Sequence, residues 1–197
     1  MKNKLLINLF FGILVMTGSA IAASIDFYPL NDGYYTDWLS WGLDTPGVMC
    51  SHFTCVDDFP VFDTVGGVQS NVDLAKETFT FRTTDPTVIL GNINYVMVSY
   101  YVKEFSPLYT CMAPMLRLYN SSGGTDYFAS PWCSLTSSFM IANQIWATNP
   151  ATGQPWLPSE LDPAYFEAGM RAEDFGRTTL AGANVSAVWL TVDYDFP

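Results

Sequence analysis

The stretch Asn92-Ile-Asn-Tyr-Val-Met-Val-Ser-Tyr-Tyr-Val-Lys-Glu104 sorts its side chains into two alternating sets. Val96, Val98, Tyr100 and Val102 fall on one face, and Ile93, Tyr95, Met97 and Tyr101 on the other. Successive side chains of a strand point to opposite sides, so a run that is apolar on both sides predicts a strand at the centre of a packed sheet. Residues 184–196 repeat the alternation, with Ser186, Val188, Leu190, Val192, Tyr194 and Phe196 on one side. Thr191, Asp193 and Asp195 take the other side, which predicts a half-buried strand. Further strands are expected over 25–29, 52–57, 77–84, 115–119, 127–130 and 139–148. In 77–84, Phe79 and Phe81 alternate with Thr78, Thr80 and Arg82, the pattern of a strand with one side in solvent. Asn120-Ser-Ser-Gly-Gly-Thr125 separates two of these runs and predicts a hairpin, because Asn and Gly tolerate positive φ.

Working outward, 12 Pro and 14 Gly divide the chain into short strands with no internal repeat and no linker. The fold class that follows is all-β, an antiparallel two-sheet jelly-roll-like sandwich. One short helical turn is expected at 159–166. There Ser159 would cap a turn beginning at Glu160, Asp162 would complete the capping box, and Pro163 would lie in the first turn.

A chain of 197 residues with 49% apolar residues and 31 aromatic ones (14 Phe + 11 Tyr + 6 Trp) is large enough for a real core and is not disordered. Eight Lys+Arg against 19 Asp+Glu leave a net charge of −11, a surface that repels phosphate backbones. Nucleic acid is therefore excluded as a partner. A single His and four Cys leave little for a transition-metal site.

Residues 1–22 read as a secretory signal, with Lys2 and Lys4 ahead of the apolar run 5–16 and Ala20-Ile21-Ala22 as the small-x-small cleavage pattern. The run is shorter than the ~20 residues that cross a bilayer as a helix. The protein is thus expected not to span a membrane after signal removal. It would act as a single β-sandwich domain over 23–197, secreted, at the cell surface or in the periplasm. Removing two Lys leaves 6 basic and 19 acidic residues, a net −13 (8 − 2 = 6; 6 − 19 = −13). A membrane barrel is disfavoured by Pro-interrupted strands shorter than the roughly 9–11 residues such strands need. In an oxidising compartment Cys50, Cys55, Cys111 and Cys133 are expected to form two disulfides. Three pairings are open, and proximity favours Cys50 with Cys55 and Cys111 with Cys133.

Three segments stand out locally: Pro29-Leu-Asn-Asp-Gly33 leading into Trp38, Cys55-Val-Asp-Asp58, and Asn149-Pro-Ala-Thr-Gly-Gln-Pro-Trp156 followed by Leu157-Pro-Ser-Glu-Leu161. Together they resemble jelly-roll-like β-sandwich proteins of phage structural genes and of secreted bacterial and environmental proteins. The resemblance implies a sandwich fold and an extracellular structural or binding role, and it carries over no catalytic residue. The cysteines depart from the usual form of that group.

Several constellations are candidates for chemistry. Glu160, Asp162 and Glu167 loosely match the acid pattern of jelly-roll glycan hydrolases, but Pro163 and the parity of Glu167 break it. His52 has no Ser elbow to serve, so no catalytic residue is assigned. Asp57, Asp58 and Asp63, with Asp26 or Asp32, offer hard oxygen ligands for a structural Ca²⁺, the one cofactor considered. Tyr34, Tyr35, Trp38 and Trp41 cluster within eight residues. Of these, Tyr34, Tyr35 and Trp41 are the candidates for stacking on sugars, a use that suits amphipathic rings. The expected function is that of an exported, non-enzymatic structural or surface-binding protein whose partner is a surface glycan or a second copy of itself. For self-association, 25–29 is the candidate for strand addition. A carbohydrate-binding module is the narrower alternative and a glycan hydrolase the remaining one.

Overall fold

The fold is that of a computed structural model, which describes residues 21–41, 43–45, 48–57, 66–70, 72–81, 91–104, 111–133, 135–173 and 183–196. In chain order the strands begin with β1 (Ile21–Phe27), β2 (Pro29–Thr36), β3 (Leu39–Trp41), β4 (Leu43–Thr45) and β5 (Val48–Met49). They continue with β6 (Gly67–Gln69), β7 (Lys76–Phe81), β8 (Asn92–Glu104) and β9 (Cys111–Asn120). The last are β10 (Gly123–Phe128), β11 (Met140–Trp146), β12 (Phe166–Glu173) and β13 (Ala183–Phe196). Helical structure among the described residues is confined to two 3-10 turns, Phe53–Cys55 and Pro158–Leu161, so none is long and apolar enough to cross a membrane.

Two antiparallel sheets carry the fold, the first in the order β11-β8-β13-β6-β3 with β1 also on β13, the second in the order β10-β9-β12-β7-β2. The chain is an all-β sandwich, as its alternation predicts. The strand β8 has the predicted bounds and sits between β11 and β13. Its face of Val96, Val98, Tyr100 and Val102 is buried, together with Val188, Leu190 and Val192 of β13. Opposite them Phe79 and Phe81 of β7, Leu116 of β9, and Phe166, Ala168 and Met170 of β12 complete the core.

One polar bond crosses this core. The Tyr100 hydroxyl donates to the Gly169 carbonyl on the facing sheet at 2.6 Å, and complete burial pushes the phenol well above its ordinary pKa. Tyr100→Phe is expected to lower unfolding free energy by about 1–2 kcal/mol in chemical denaturation, the worth of one buried bond.

Local expectations are corrected at four places. Residues 52–57 do not form a strand, because Cys50 and Cys55 are joined by a disulfide with their Cα atoms 5.4 Å apart. An extended segment of that length would span roughly 17 Å. The loop instead turns through the 3-10 residues Phe53–Cys55, and only Val56 and Asp57 straighten, to pair with β13 at Val188 and Ala187. Ser186 is a bulge between Val185 and Ala187. Val185 and Val188 therefore both reach the core opposite Val102 and Tyr100, where unbroken alternation would have separated them. The polar side of β7 is not in solvent, since Thr78 is buried and so is Glu77 on the inner side; Arg82 lies outside the described residues.

The helical turn is shorter than expected and earlier, Pro158–Leu161, so that Pro158, whose ring suits a first helical position, opens it and Pro163 lies beyond its end. Ser159 caps nothing. Glu160 Oε2 accepts from Leu157 N at 2.8 Å, and Asp162 Oδ1 accepts from Ala164 N at 2.8 Å in a turn of its own. Other expectations hold in kind, with strand ends displaced: the run expected over 25–29 is split between β1 and β2, and the 120–125 loop shortens to two residues. The hairpin joins β9 to β10 through Ser121 and Ser122, with Gly123 at positive φ, and both disulfides follow the favoured pairing, Cys50–Cys55 and Cys111–Cys133. Trp156 is buried and its indole N–H donates to Trp146 O at 2.9 Å, anchoring the 149–156 loop.

Candidate functional site

The outer face of the second sheet gathers polar and aromatic side chains by strand register. Asp126 of β10, Arg117 of β9 and Glu167 of β12 lie side by side across three strands. One step along, Phe128, Met115, Gly169 and Thr78 form the next row. Beyond it Ala113, Arg171 and Lys76 form a third. Of the eight Lys+Arg in the sequence, three among the described residues, Lys76, Arg117 and Arg171, are on this face.

These groups bond to one another. The Tyr35 hydroxyl donates to Asp126 Oδ2 at 2.9 Å, Lys76 Nζ donates to the same oxygen at 2.7 Å, and Arg117 donates to both Asp126 Oδ1 and the Tyr35 hydroxyl. Arg117 Nε donates to the Tyr119 hydroxyl at 3.1 Å, and that hydroxyl donates to Glu167 Oε1 at 2.7 Å. The other Glu167 oxygen accepts the Tyr34 backbone N–H at 2.9 Å. Partial burial alone would raise the Asp126 carboxyl, but Lys76, Arg117 and Tyr35 outweigh it and hold Asp126 below the usual carboxylate range. Burial, and then the bond to Glu167, push the Tyr119 phenol up to about 12.

Rings cover the cations. The Arg117 guanidinium carbon is 4.1 Å from the Tyr34 ring centre, 5.0 Å from that of Tyr35 and 5.2 Å from that of Tyr119. Lys76 sits 4.4 Å over the Tyr35 ring, and Arg171 3.7 Å over Phe128. Tyr34 and Tyr35 meet edge to face at 4.9 Å, and Tyr34 is nonetheless 64% exposed. The result is a platform in which Lys76 and Arg117 share the Asp126 carboxylate, Arg171 pairs with Glu173, and the outermost ring, Tyr34, is exposed to a flat partner.

Of the sequence candidates, the structure brings Tyr34 and Tyr35 together on this face and separates Trp41 from them. Trp41 belongs to β3 in the other sheet, and a Cβ added to Gly67 would lie 3.0 Å from its ring. Trp38 is core, donating its indole N–H to Ala75 O. Asp57 is exposed beside Ala187, while Asp58 and Asp63 lie outside the described residues. Asp26 accepts from the Thr191 hydroxyl at 2.6 Å and Asp32 from Phe53 N at 2.7 Å. Among the described residues no three His, Cys, Asp or Glu side chains gather into a metal-holding group. Arg117, Lys76, Tyr119, Asp126 and Phe128 were not singled out in the sequence. For all but Lys76, which lies on β7, the signal that could have found them is the shared outward parity on two strands joined by a recognised hairpin.

Away from this face, His52 Nδ1 and Glu77 Oε1 are 2.9 Å apart, and Glu77 Oε2 accepts Trp38 N at 3.2 Å. Burial pushes the Glu77 carboxyl up to about 7 against the opposing pull of His52. The bond to Glu77 in turn raises His52.

No family model matches the chain, and no curated protein matches it either. Among solved structures it is similar to the carbohydrate-binding and GH10 modules of Clostridium thermocellum endo-1,4-β-D-xylanase 10B, at 9% identity and a TM-score of 0.44 over 85% of this chain and 28% of that one. It is also similar to tailspike protein 4 of bacteriophage CBA120, at 11% identity and a TM-score of 0.38 over 89% of this chain and 19% of that one. A third similarity is to the Broad Bean Stain Virus structure, at 15% identity and a TM-score of 0.28 over 91% and 87% of the two chains. The chain spans less than a third of the length of the first two.

Proposed function

We propose that the protein is an exported, non-enzymatic binding module that lays a neutral glycan chain across the outer face of the β10-β9-β12-β7-β2 sheet. The observation that carries this is the exposed Tyr34 ring, braced from below by Arg117, which is itself held by Asp126 and Tyr119. A ring held this way offers an apolar face to a pyranose without an ordering cost, and the surrounding donors and acceptors suit hydroxyl groups better than ions. The non-enzymatic part is supported by the carboxylates themselves: Asp162 accepts a backbone N–H in a turn of its own, and both Glu167 oxygens are engaged.

Isothermal titration with a panel of neutral oligosaccharides tests the reading. Tyr34→Ala is expected to weaken binding at least tenfold, the worth of about 1.4 kcal/mol, with the melting temperature unchanged. A folded wild type that binds nothing in the panel, or a Tyr34→Ala variant that binds as well as the parent, overturns it.

Self-association has separate support at a different edge. Residues 21–27 are already paired with β13 of the same chain, whereas β11 ends its sheet with Met140, Ile141 and Ile145 exposed. If copies join there, Ile141→Lys will convert an oligomer to a monomer in sedimentation.

A further inference from the structure

Resting on the glycan reading of the outer sheet face, we propose that a second subsite at the end of that face holds one terminal pyranose unit of the chain. A cavity of about 380 Å³ opens where the β9–β10 hairpin meets the 149–152 loop and the Pro158–Leu161 turn, and Tyr119, Asn120, Asn149, Ser159, Glu160 and Tyr165 line it. A volume of that size lies at the lower end of those that take small ligands. Tyr119 joins it to the platform, because its hydroxyl is bonded to both Arg117 and Glu167.

The chemistry of the lining fits a polyol. Asn149 is only 4% exposed, and its Oδ1 accepts the Ala151 N–H at 2.8 Å. That bond fixes the amide orientation and leaves the Nδ2 donors to the cavity that Asn149 lines. Asn120 repeats the arrangement: Oδ1 accepts Ser122 N at 2.7 Å, so its amide donors are free as well. Glu160 spends Oε2 on Leu157 N and keeps Oε1 as an acceptor, and the Ser159 hydroxyl can serve as either. Tyr165, 54% exposed, adds a ring at the rim. Fixed amide donors, a carboxylate oxygen, a hydroxyl and an aromatic rim together match the alternating hydroxyls and apolar ring face of a sugar. The segment 149–160 is thereby more than a structural turn, since its capped and Asx-turned backbone aims these groups.

Its place beside the hairpin, at the end of the platform, makes this a site for a chain terminus, with the open platform taking the units that follow. The test uses the full chain, with glucose, xylose, mannose, galactose and N-acetylglucosamine as probes, each as the monosaccharide and as a linear hexamer, and reads affinity by titration and by NMR line shape. Tyr165→Ala and Glu160→Gln, the latter keeping the Leu157 cap through its amide oxygen, are expected to weaken the effective monosaccharide and its hexamer at least tenfold. Tyr34→Ala is expected to weaken the hexamer alone. A hexamer whose affinity is unchanged by Tyr165→Ala and Glu160→Gln but lost in Tyr34→Ala overturns the terminal subsite and leaves the platform standing. Monosaccharide binding that survives Tyr34→Ala and fails in Tyr165→Ala, with no added affinity for the hexamer, upholds the pocket and removes the platform. Wild type that binds no probe overturns both.

Discussion

Gly169→Ala is expected to cost about 3 kcal/mol or more of stability, and Gly169→Val to leave no folded protein at moderate temperature. Gly169 lies on β12 between Met115 of β9 and Thr78 of β7. A Cβ there would run into the Glu77 carbonyl oxygen and lie 2.7 Å from Thr78 Cα and 2.8 Å from the Glu77 carbonyl carbon. All three are main-chain atoms of a paired strand. Relief would have to widen a strand spacing that hydrogen bonding holds near ~4.8 Å. It would also move the Gly169 carbonyl that receives Tyr100. Gly124→Ala provides the contrast. Its added methyl would meet the Arg117 guanidinium group, with Nε at 2.6 Å, and a side chain can swing where a strand cannot. Its expected cost is below ~1 kcal/mol, with glycan affinity reduced because Arg117 no longer braces Tyr34. Urea unfolding of the two variants side by side decides the matter, and a Gly169→Ala variant as stable as Gly124→Ala would mean that β7 and β12 are not in this register.

Stability is expected to fall as pH rises from 5 to 8, and Glu77→Gln to remove most of that slope. The Glu77 side chain is fully buried, and its carboxyl is pushed from the ordinary 4.5 up to about 7, by burial above all. His52, bonded to it, is raised too. Between pH 4.5 and 7 the unfolded chain gives up a proton that the folded pair keeps between Oε1 and Nδ1, so each increment of pH favours unfolding. The contribution is complete below the unfolded value and is lost through the folded one, about 2 kcal/mol between pH 5 and 8. A Gln at 77 can still accept Trp38 N and donate to His52 while titrating nothing. Melting temperatures across this range, wild type against variant, provide the readout; parallel curves would show that the pair does not control the slope.

How much of this was legible in the sequence depended on whether a strand's composition agreed with its period. The strand β8 had both, and its bounds could be read directly. Phe166-Glu-Ala-Gly-Met-Arg-Ala-Glu173 was passed over although it alternates strictly, with Phe166, Ala168, Met170 and Ala172 inward and Glu167, Gly169, Arg171 and Glu173 outward. Its Ala, Glu, Met and Arg are helix formers, and only its place between β9 and β7 makes it a strand, a tertiary override of local preference. Pro29-Leu-Asn-Asp-Gly33 has the composition of a turn, yet it begins an irregular edge strand with register shifts against β7. With β12 unseen, Glu167 could not be set beside Arg117, nor Arg117 beneath Tyr34, so the aromatic candidates were found but not the charged frame that holds them. The terminal pocket was hidden for another reason. It joins a hairpin near 120 to loops near 150 and 160, and no local pattern reports that meeting.

The strand β13 follows, along the chain, every strand it pairs with, yet it is the hub of its sheet. One edge lies along β8, and the other is shared by β6, by Val56 and Asp57, and by β1. During synthesis, therefore, the first sheet has flanks before it has a middle, and Ile21–Phe27 must wait for partners some 165 positions away, Phe27 for Leu190 and Ile25 for Val192. Pairing over such separations is slow. A chain built in this order leaves the ribosome unfinished and completes its fold only after the residues of β13 have emerged.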